Sequence, residues 1–316
     1  WRWGFDGKLS KLPDGVNFPH PIERERTTLP PVHSEIWAGM VWIHLGTPEQ
    51  SLREYLSPVY ELAAPYHIEG FGLSRDYSTD WGWNWKAALE AFSEVYHVNV
   101  THPQLLGALD PLLAELEYYG LHGLLRVPIG PLSVDAPEHA VHRPLILEKL
   151  ARLGVDVAQH AHTSTDERRR ALQGAIRARG EKLGVDYSGL ADWQLTDTNQ
   201  FFIFPNLHLD FHGADSFTIF RYRPHATDPE RCSFDNLDFT RSKVQGPVLA
   251  ERVRHEQLEH DQLPEVVRQD ALVMSLMHRG RRSRGFTSAL LHRFEGRIVD
   301  IHRNIDRYLR AGETAG

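Results

Sequence analysis

Residues Glu94 to Pro103, EVYHVNVTHP, set a carboxylate and two histidines at spacings of three and then five inside a run that otherwise reads as helix. The chain carries 19 histidines in 316 residues, a density at which about one pair at any chosen spacing arises by chance. A second such pair exists: His255 and His260, in HEQLEH, repeat the five-residue step within a strongly charged segment. Spacing alone therefore decides nothing, and the surroundings of each pair carry the argument.

Around the first pair the surroundings agree. Ala87, Ala88, Leu89, Ala91, Phe92 and Val95 make much of residues 84 to 101 apolar, and Asn84 can cap a helix start. One helix is expected over 84–101. It is too apolar to be a solvated face, so its polar side chains need partners or a metal. Pro103 ends it, because the residue before a proline is pushed out of helical geometry. On a regular helix Glu94 and His97 share a face, whereas a five-residue step points His102 about 140° away. Only an ended or distorted helix lets both imidazoles converge. Two neutral imidazoles and a carboxylate, leaving open positions, are what nonhaem ferrous iron needs to bind oxygen beside a substrate. A buried polar network is the alternative.

HEQLEH lacks that support. A zinc protease would need HExxH, but position 259 is Glu259, so a solvated charged helix is the expectation there. His208 and His212, in NLHLDFH, fall on one face of an alternating strand; satisfied strand histidines are the better reading than a metal site. No GxSxG, Walker loop or strand-linked GxGxxG occurs, and Cys232 reads as an ordinary core or loop thiol.

The chain as a whole narrows the classes further. With 41% apolar and 24% charged residues it reads as a soluble globular protein with ample core, one large domain or two ordinary ones. No apolar run approaches a membrane span and WRWGFDGKLS lacks a signal-peptide pattern, so a cytoplasmic location is expected, with no membrane partner. A net charge of −7 with interleaved signs argues against nucleic acid. One cysteine excludes an internal disulfide framework or a several-thiolate cluster within these residues. The chain opens at Trp1 with a strand, a turn at Asp6-Gly7 and a second strand, which suggests a fragment cut inside a domain that began upstream.

The remaining elements point to an α+β fold. EIWAGMVWIHLGTP reads as a strand and loop, SLREYLSP as a short helix, and IEGFGLSRDYS as a strand leading into DWGWNWK. Residues 115–135 read as strands and 143–182 as charged helix stopping at Gly180. NQFFIFPNLHLDFH and SFTIFRYRP read as adjacent antiparallel strands joined at Gly213-Ala214-Asp215. LPEVVRQDALVMSLMHRG begins as a helix with Pro264 in its first turn. A last helix over roughly 289–310 carries Leu290, Phe294, Ile298, Ile301, Ile305 and Tyr308 or Leu309 as its core stripe.

Asn84 to Pro103, NWKAALEAFSEVYHVNVTHP, closely resembles the iron-site signature of the catalytic α subunits of Rieske-type ring-hydroxylating oxygenases, including the Asn-Trp-Lys lead-in, Glu90, Glu94, Tyr96 and both histidines. WRWGFDGKL resembles the stretch after the second cysteine-histidine pair of a Rieske domain, FIFPNLHLDF the family's Phe-Pro-Asn strand, RQDALVMSLMHRGRRSRGF its third-ligand region, and EGRIVDIHRNIDRYL its closing helix. The resemblance implies that His97 and His102 ligate mononuclear Fe(II), with Asp270, chosen over Asp261 and Glu265 for its Gln-Asp context, as the carboxylate ligand. It implies that Glu94 bridges the iron site to the Rieske cluster of a neighbouring subunit; many members have Asp there. The fold implied is an antiparallel sheet wrapped around a long helix (a helix-grip, Bet v1/START-like domain) over 47–316, with 1–46 as the tail of a β Rieske domain. The [2Fe-2S] cluster needs two cysteines and two histidines, so its ligands are expected upstream of Trp1. The implied reaction is O₂-dependent hydroxylation or demethylation of an aromatic or other apolar small molecule. Electrons come from NAD(P)H through a reductase or ferredoxin, in a homotrimer or a hexamer of three α and three β subunits. Two rivals remain: a non-catalytic hydrophobic-ligand module of the same fold, and, third, a zinc hydrolase.

Overall fold

Ala38 and Gly39 both take left-handed backbone, at φ 56° and 74°, the pair that a tight two-residue hairpin turn demands. The stretch expected as one strand and a loop is therefore a hairpin. The computed structural model describes residues 1–106, 109–130, 145–241, 254–255 and 260–315, and they fall into two compact units, Trp1–Tyr55 and Leu56–Gly316. In the first, β1 (Arg2–Trp3) pairs antiparallel with β2 (Leu9–Lys11), as the Asp6-Gly7 turn suggests, and β3 (His33–Trp37) pairs with β4 (Met40–His44) around Ala38-Gly39. The short helix α1 (Leu52–Leu56) follows.

The second unit contains α2 (Val59–Ala63), β5 (Phe71–Trp81), α3 (Trp85–Ala91), α4 (Val98–Thr101), β6 (Glu115–Tyr119), β7 (His122–Val127), α5 (Leu145–Arg152), α6 (Thr165–Leu183), α7 (Asp192–Thr196), β8 (Thr198–Ile203), β9 (Leu207–His212), β10 (Ser216–Pro224), β11 (Cys232–Arg241), β12 (Arg254–His255), α8 (Glu265–Arg281) and α9 (Gly296–Ala315). Eight strands make one sheet in the order β12-β5-β11-β10-β9-β8-β7-β6, antiparallel except where β12 meets β5. Gly213-Ala214-Asp215 joins β9 to β10, as expected. Period-two burial gives the sheet an inner face. Tyr77 and Trp81 of β5, Phe202 of β8, Tyr222 of β10 and Phe234 of β11 share one core with Leu89 of α3, Val267, Ala271 and Met274 of α8, and Ile301 of α9. Each large apolar side chain so buried contributes roughly 1.5–3 kcal/mol. The large antiparallel sheet with helices on its apolar face bears out the α+β reading. No described helix is long and apolar enough to cross a membrane.

Four further expectations change. The single helix over 84–101 is two, α3 and α4, for reasons given below. Residues 145–183 form two helices, and α6 ends at Gly184 in left-handed backbone (φ 71°). Gly180 instead sits inside α6, where a Cβ would come within 2.5 Å of the Tyr187 ring. The closing helix starts at Gly296, because His292 and Glu295 form a reciprocal cap on the turn before it. Leu290 thus lies outside the helix, fully exposed, while Phe294, Ile298 and Ile301 are buried and Tyr308 and Leu309 are exposed. Finally, His255 belongs to β12, paired with Tyr77, and His260 opens a 3-10 turn. Residues 256–259, the rest of the charged helix expected there, lie outside the described residues, as do 131–135 and 143–144.

Candidate metal centre

The centre is built where α3 stops. Asn84 caps the helix, its side-chain oxygen accepting from the Lys86 N–H at 2.9 Å. At the other end Ser93 Oγ donates back to the Leu89 carbonyl at 2.6 Å and meets His208 Nε2 at 3.3 Å. The Glu94 carboxylate then folds onto its own backbone, accepting from the N–H groups of Tyr96 and His97. Side-chain groups that bind nearby backbone offer it an alternative to the helix ladder, and here they break the helix over residues 92 to 97. Glu94 and His97 meet through this turn, not as neighbours on a helix face. After α4, His102 leaves helical geometry (φ −123°, ψ 60°) immediately before Pro103, as a pre-proline residue must.

Three side chains converge. His102 Nε2 lies 2.8 Å and His97 Nε2 3.5 Å from the same oxygen, Oδ1 of Asp270. One ligand atom from each residue lies within 4.8 Å of the others, and no other such group of three occurs among the described residues. Asp270 and His102 are 4% and 2% exposed and the His97 side chain 22%. Asp270 is carried inward by the buried face of α8, between Val267, Ala271 and Met274, while Asp261 and Glu265 are exposed. Of the three acids considered from sequence, the structure brings Asp270 to the imidazoles.

The ring tautomers follow from the partners. Glu94 Oε1 meets Nδ1 of His97, and an ionised carboxylate only accepts, so Nδ1 carries the proton. Gln269 Oε1 lies 2.8 Å from Nδ1 of His102, which places that proton on Nδ1 as well. Both Nε2 atoms are then the ones turned to Asp270. Burial pulls the His97 pKa down, but hydrogen bonding and charge from Glu94, helped by Asp270, outweigh it and hold the imidazole above its ordinary value. A proton and a metal cation compete for that Nε2. The donor set therefore fits a divalent metal: two imidazole nitrogens and one carboxylate, mutually spaced to share an ion, with their other ring nitrogens already bonded.

A cavity of about 220 Å³ reaches Glu94, His97 and Asp270 and is walled by Met274, Met277 and Ile298 among others. Glu90 also lines it, bound by Arg281 Nη2 at 2.7 Å and His302 Nε2 at 2.8 Å, so one carboxylate ties α3 to α8 and α9. Burial would raise the Glu90 pKa, yet the His302 hydrogen bond and the Arg281 charge hold it below the usual value.

The other candidates resolve as structural groups. His208 is fully buried between Tyr222 Oη, at 3.0 Å, and Ser93, and burial holds it neutral. His212 is exposed at the end of β9. Cys232 is buried, its thiol pushed up to about 12 by burial. Sequence reasoning did not find Gln104 and Gln269, whose amides bond each other at 2.8 Å beside His102. Their nearness in sequence to His102 and Asp270 was visible; the contact between the turn at 103–105 and α8 was not.

The family model for the ring hydroxylating alpha subunit (catalytic domain) matches residues 68–311. The oxygenase subunit of a glycine betaine monooxygenase from Pseudomonas aeruginosa is 26% identical over 109 residues, 34% of this chain and 25% of that protein. Its counterpart from Chromohalobacter salexigens is 26% identical over 109 residues, 34% of this chain and 24% of the relative. The matched stretch is thus about a quarter of the length of these curated relatives. A quaternary ammonium Rieske monooxygenase, CntA, solved with its substrate gamma-butyrobetaine, superposes with a TM-score of 0.59 at 14% identity, over 97% of this chain and 68% of that one. Dicamba monooxygenase bound to dicamba gives 0.53 at 13% identity, over 99% and 78%. At such identities the two structures speak for a shared fold.

Proposed function

The chain belongs to the family of ring-hydroxylating α-subunit catalytic domains, and from that premise we propose that His97, His102 and Asp270 hold ferrous iron for O₂-dependent oxygenation or demethylation of a small molecule. The observation that carries this is the convergence of the three donors with both Nε2 atoms turned to Asp270. Iron bound there would supply the redox chemistry that activates O₂ beside a substrate. The chain's own residues do the rest. Glu94 and Gln269 keep the ring protons on Nδ1, so each Nε2 lone pair is available. Met274, Met277 and Ile298 give the cavity an apolar wall that limits water near the centre.

Glu94, which also lines the cavity, is the proposed link to a Rieske [2Fe-2S] cluster of a neighbouring subunit. A reductase or ferredoxin would bring electrons from NAD(P)H to a trimeric assembly, and residues 1–46 would be the tail of the cluster domain. For substrate, the apolar wall favours a small apolar or aromatic molecule. A second reading, a methylated quaternary ammonium compound, is favoured by the carboxylates of Glu94 and Glu295 in the same wall and by the betaine relatives.

Anaerobic reconstitution with Fe(II) tests the centre. The native protein should retain one equivalent of iron after desalting and His97→Ala should not. A native protein without retained iron, or a His97→Ala variant that holds it equally, overturns the assignment.

A further inference from the structure

The two imidazoles at the centre are oriented by different partners, and only one is a charged group near in sequence. Nδ1 of His102 meets Oε1 of Gln269 at 2.8 Å. The amide of Gln269 is itself held: Gln104 Nε2 donates to the same Oε1 at 2.8 Å, and Gln269 Nε2 reaches back to Gln104 Oε1 at 3.5 Å. Gln269 directly precedes Asp270 on α8, and Gln104 lies in the turn opened by Pro103.

We propose that Gln269 is the positioning residue for His102: its amide oxygen, locked by Gln104, fixes the Nδ1–H tautomer and leaves Nε2 free for the metal. This rests on the iron reading above. The opposite amide orientation shows why a lock is needed. A Gln269 turned end for end would donate its NH₂ into Nδ1, moving the ring proton to Nε2 and blocking the only atom that faces Asp270. An amide can present either end with equal shape, unlike the Glu94 carboxylate, which can only accept. Gln104 opposes a turn of Gln269 alone, which would set two NH₂ groups against each other at 2.8 Å. His102 is almost completely buried, so no bulk solvent substitutes for the missing acceptor. One helix register therefore delivers both the carboxylate ligand and the acceptor that orients a different ligand.

The test compares native protein, Gln269→Leu and Gln269→Glu by anaerobic Fe(II) titration against a chromophoric chelator, and by the visible spectrum of the Co(II)-loaded proteins. Gln269→Leu removes the acceptor at similar volume and should lower Fe(II) affinity about 10- to 100-fold and alter the Co(II) bands. Gln269→Glu, which can only accept, should bind within a few fold of native or tighter. Leu and native proteins with equal affinity and superimposable Co(II) spectra overturn the proposal. So does an equal loss in both variants, which a packing role alone produces. If Gln269→Leu does not fold, the Glu variant still decides: a loss of tenfold or more in it is contrary to an acceptor role. A native protein that binds no Fe(II) overturns the iron reading itself, an outcome separate from any ranking of the variants.

Discussion

The two halves of the centre reach the same end by unlike means. His97 takes its acceptor, Glu94, from three residues away, and the same carboxylate also binds the backbone of the turn that carries the imidazole. His102 takes its acceptor from 167 residues away, across the packing of α4 on α8, from a neutral amide. In the first half orientation is built in locally and reinforced by charge. In the second it exists only once the helices have docked. The difference shows that the donors of a candidate metal centre can be half written into a short motif and half assembled by the fold, with Asp270 joining the two.

The largest effect should come from removing what the halves share. Asp270→Ala is expected to cost more than about 100-fold in Fe(II) affinity, beyond the range typical of groups that only orient a ligand, by the same chelator titration. A loss smaller than that of Gln269→Leu would break the view that Asp270 unites the halves. Next, Glu94→Gln makes the His97 half chemically like the His102 half, with a neutral amide acceptor. Affinity should fall roughly tenfold, the lower end for such partners, and unchanged affinity would show that the charge of Glu94 adds nothing to iron binding.

Smaller effects should separate the centre from its scaffold. Arg281→Met removes one of the two groups on Glu90, and chemical denaturation should show a loss of about 1–2 kcal/mol, since a charged hydrogen bond is lost at a site where Arg281 is a third exposed. Iron affinity should stay within twofold of native. The Glu90 carboxyl is held below its ordinary pKa of 4.5, so its contribution is complete above that pH and is lost as pH falls through the depressed folded value. The stability gap between native protein and Glu90→Gln, measured across pH 3 to 6 (a window set by roughly the carboxylate range), should therefore shrink only on the acid side of about 4.5; a gap that widens there contradicts the geometry. Gln104→Ala should lower Fe(II) affinity by a few fold, less than Gln269→Leu does, for one lost neutral hydrogen bond of about 1 kcal/mol. A loss as large as that of Gln269→Leu would mean that the amide pair acts as one unit.

Much of the fold was legible because its signals are local. Alternation over NQFFIFPNLHLDFH and SFTIFRYRP marks β8, β9 and β10, and Asn84 and Pro103 mark where helical geometry starts and must end. Two of the misjudged boundaries share one cause, a side chain bound to nearby backbone. Glu94 and Ser93 break the helix expected over 84–101, and His292 with Glu295 moves the start of α9 to Gly296. An apolar periodicity counts which positions face a core. It does not register a carboxylate that turns back on its own N–H groups.

By itself the sequence determined the residue types and their spacing: two histidines five apart ahead of a helix-ending proline, an acid three residues before the first, and strands and helices with matched apolar faces. The tertiary structure decided which of Asp261, Glu265 and Asp270 reaches the imidazoles, and which amide holds the second one. Those choices depend on how α8 is rotated and seated against α3 and α4, which is set by the burial of Val267, Ala271 and Met274 in the common core. Burial of that kind is a property of the packed chain, where side chains more than a hundred residues apart exclude water together, and no spacing within a single segment encodes it.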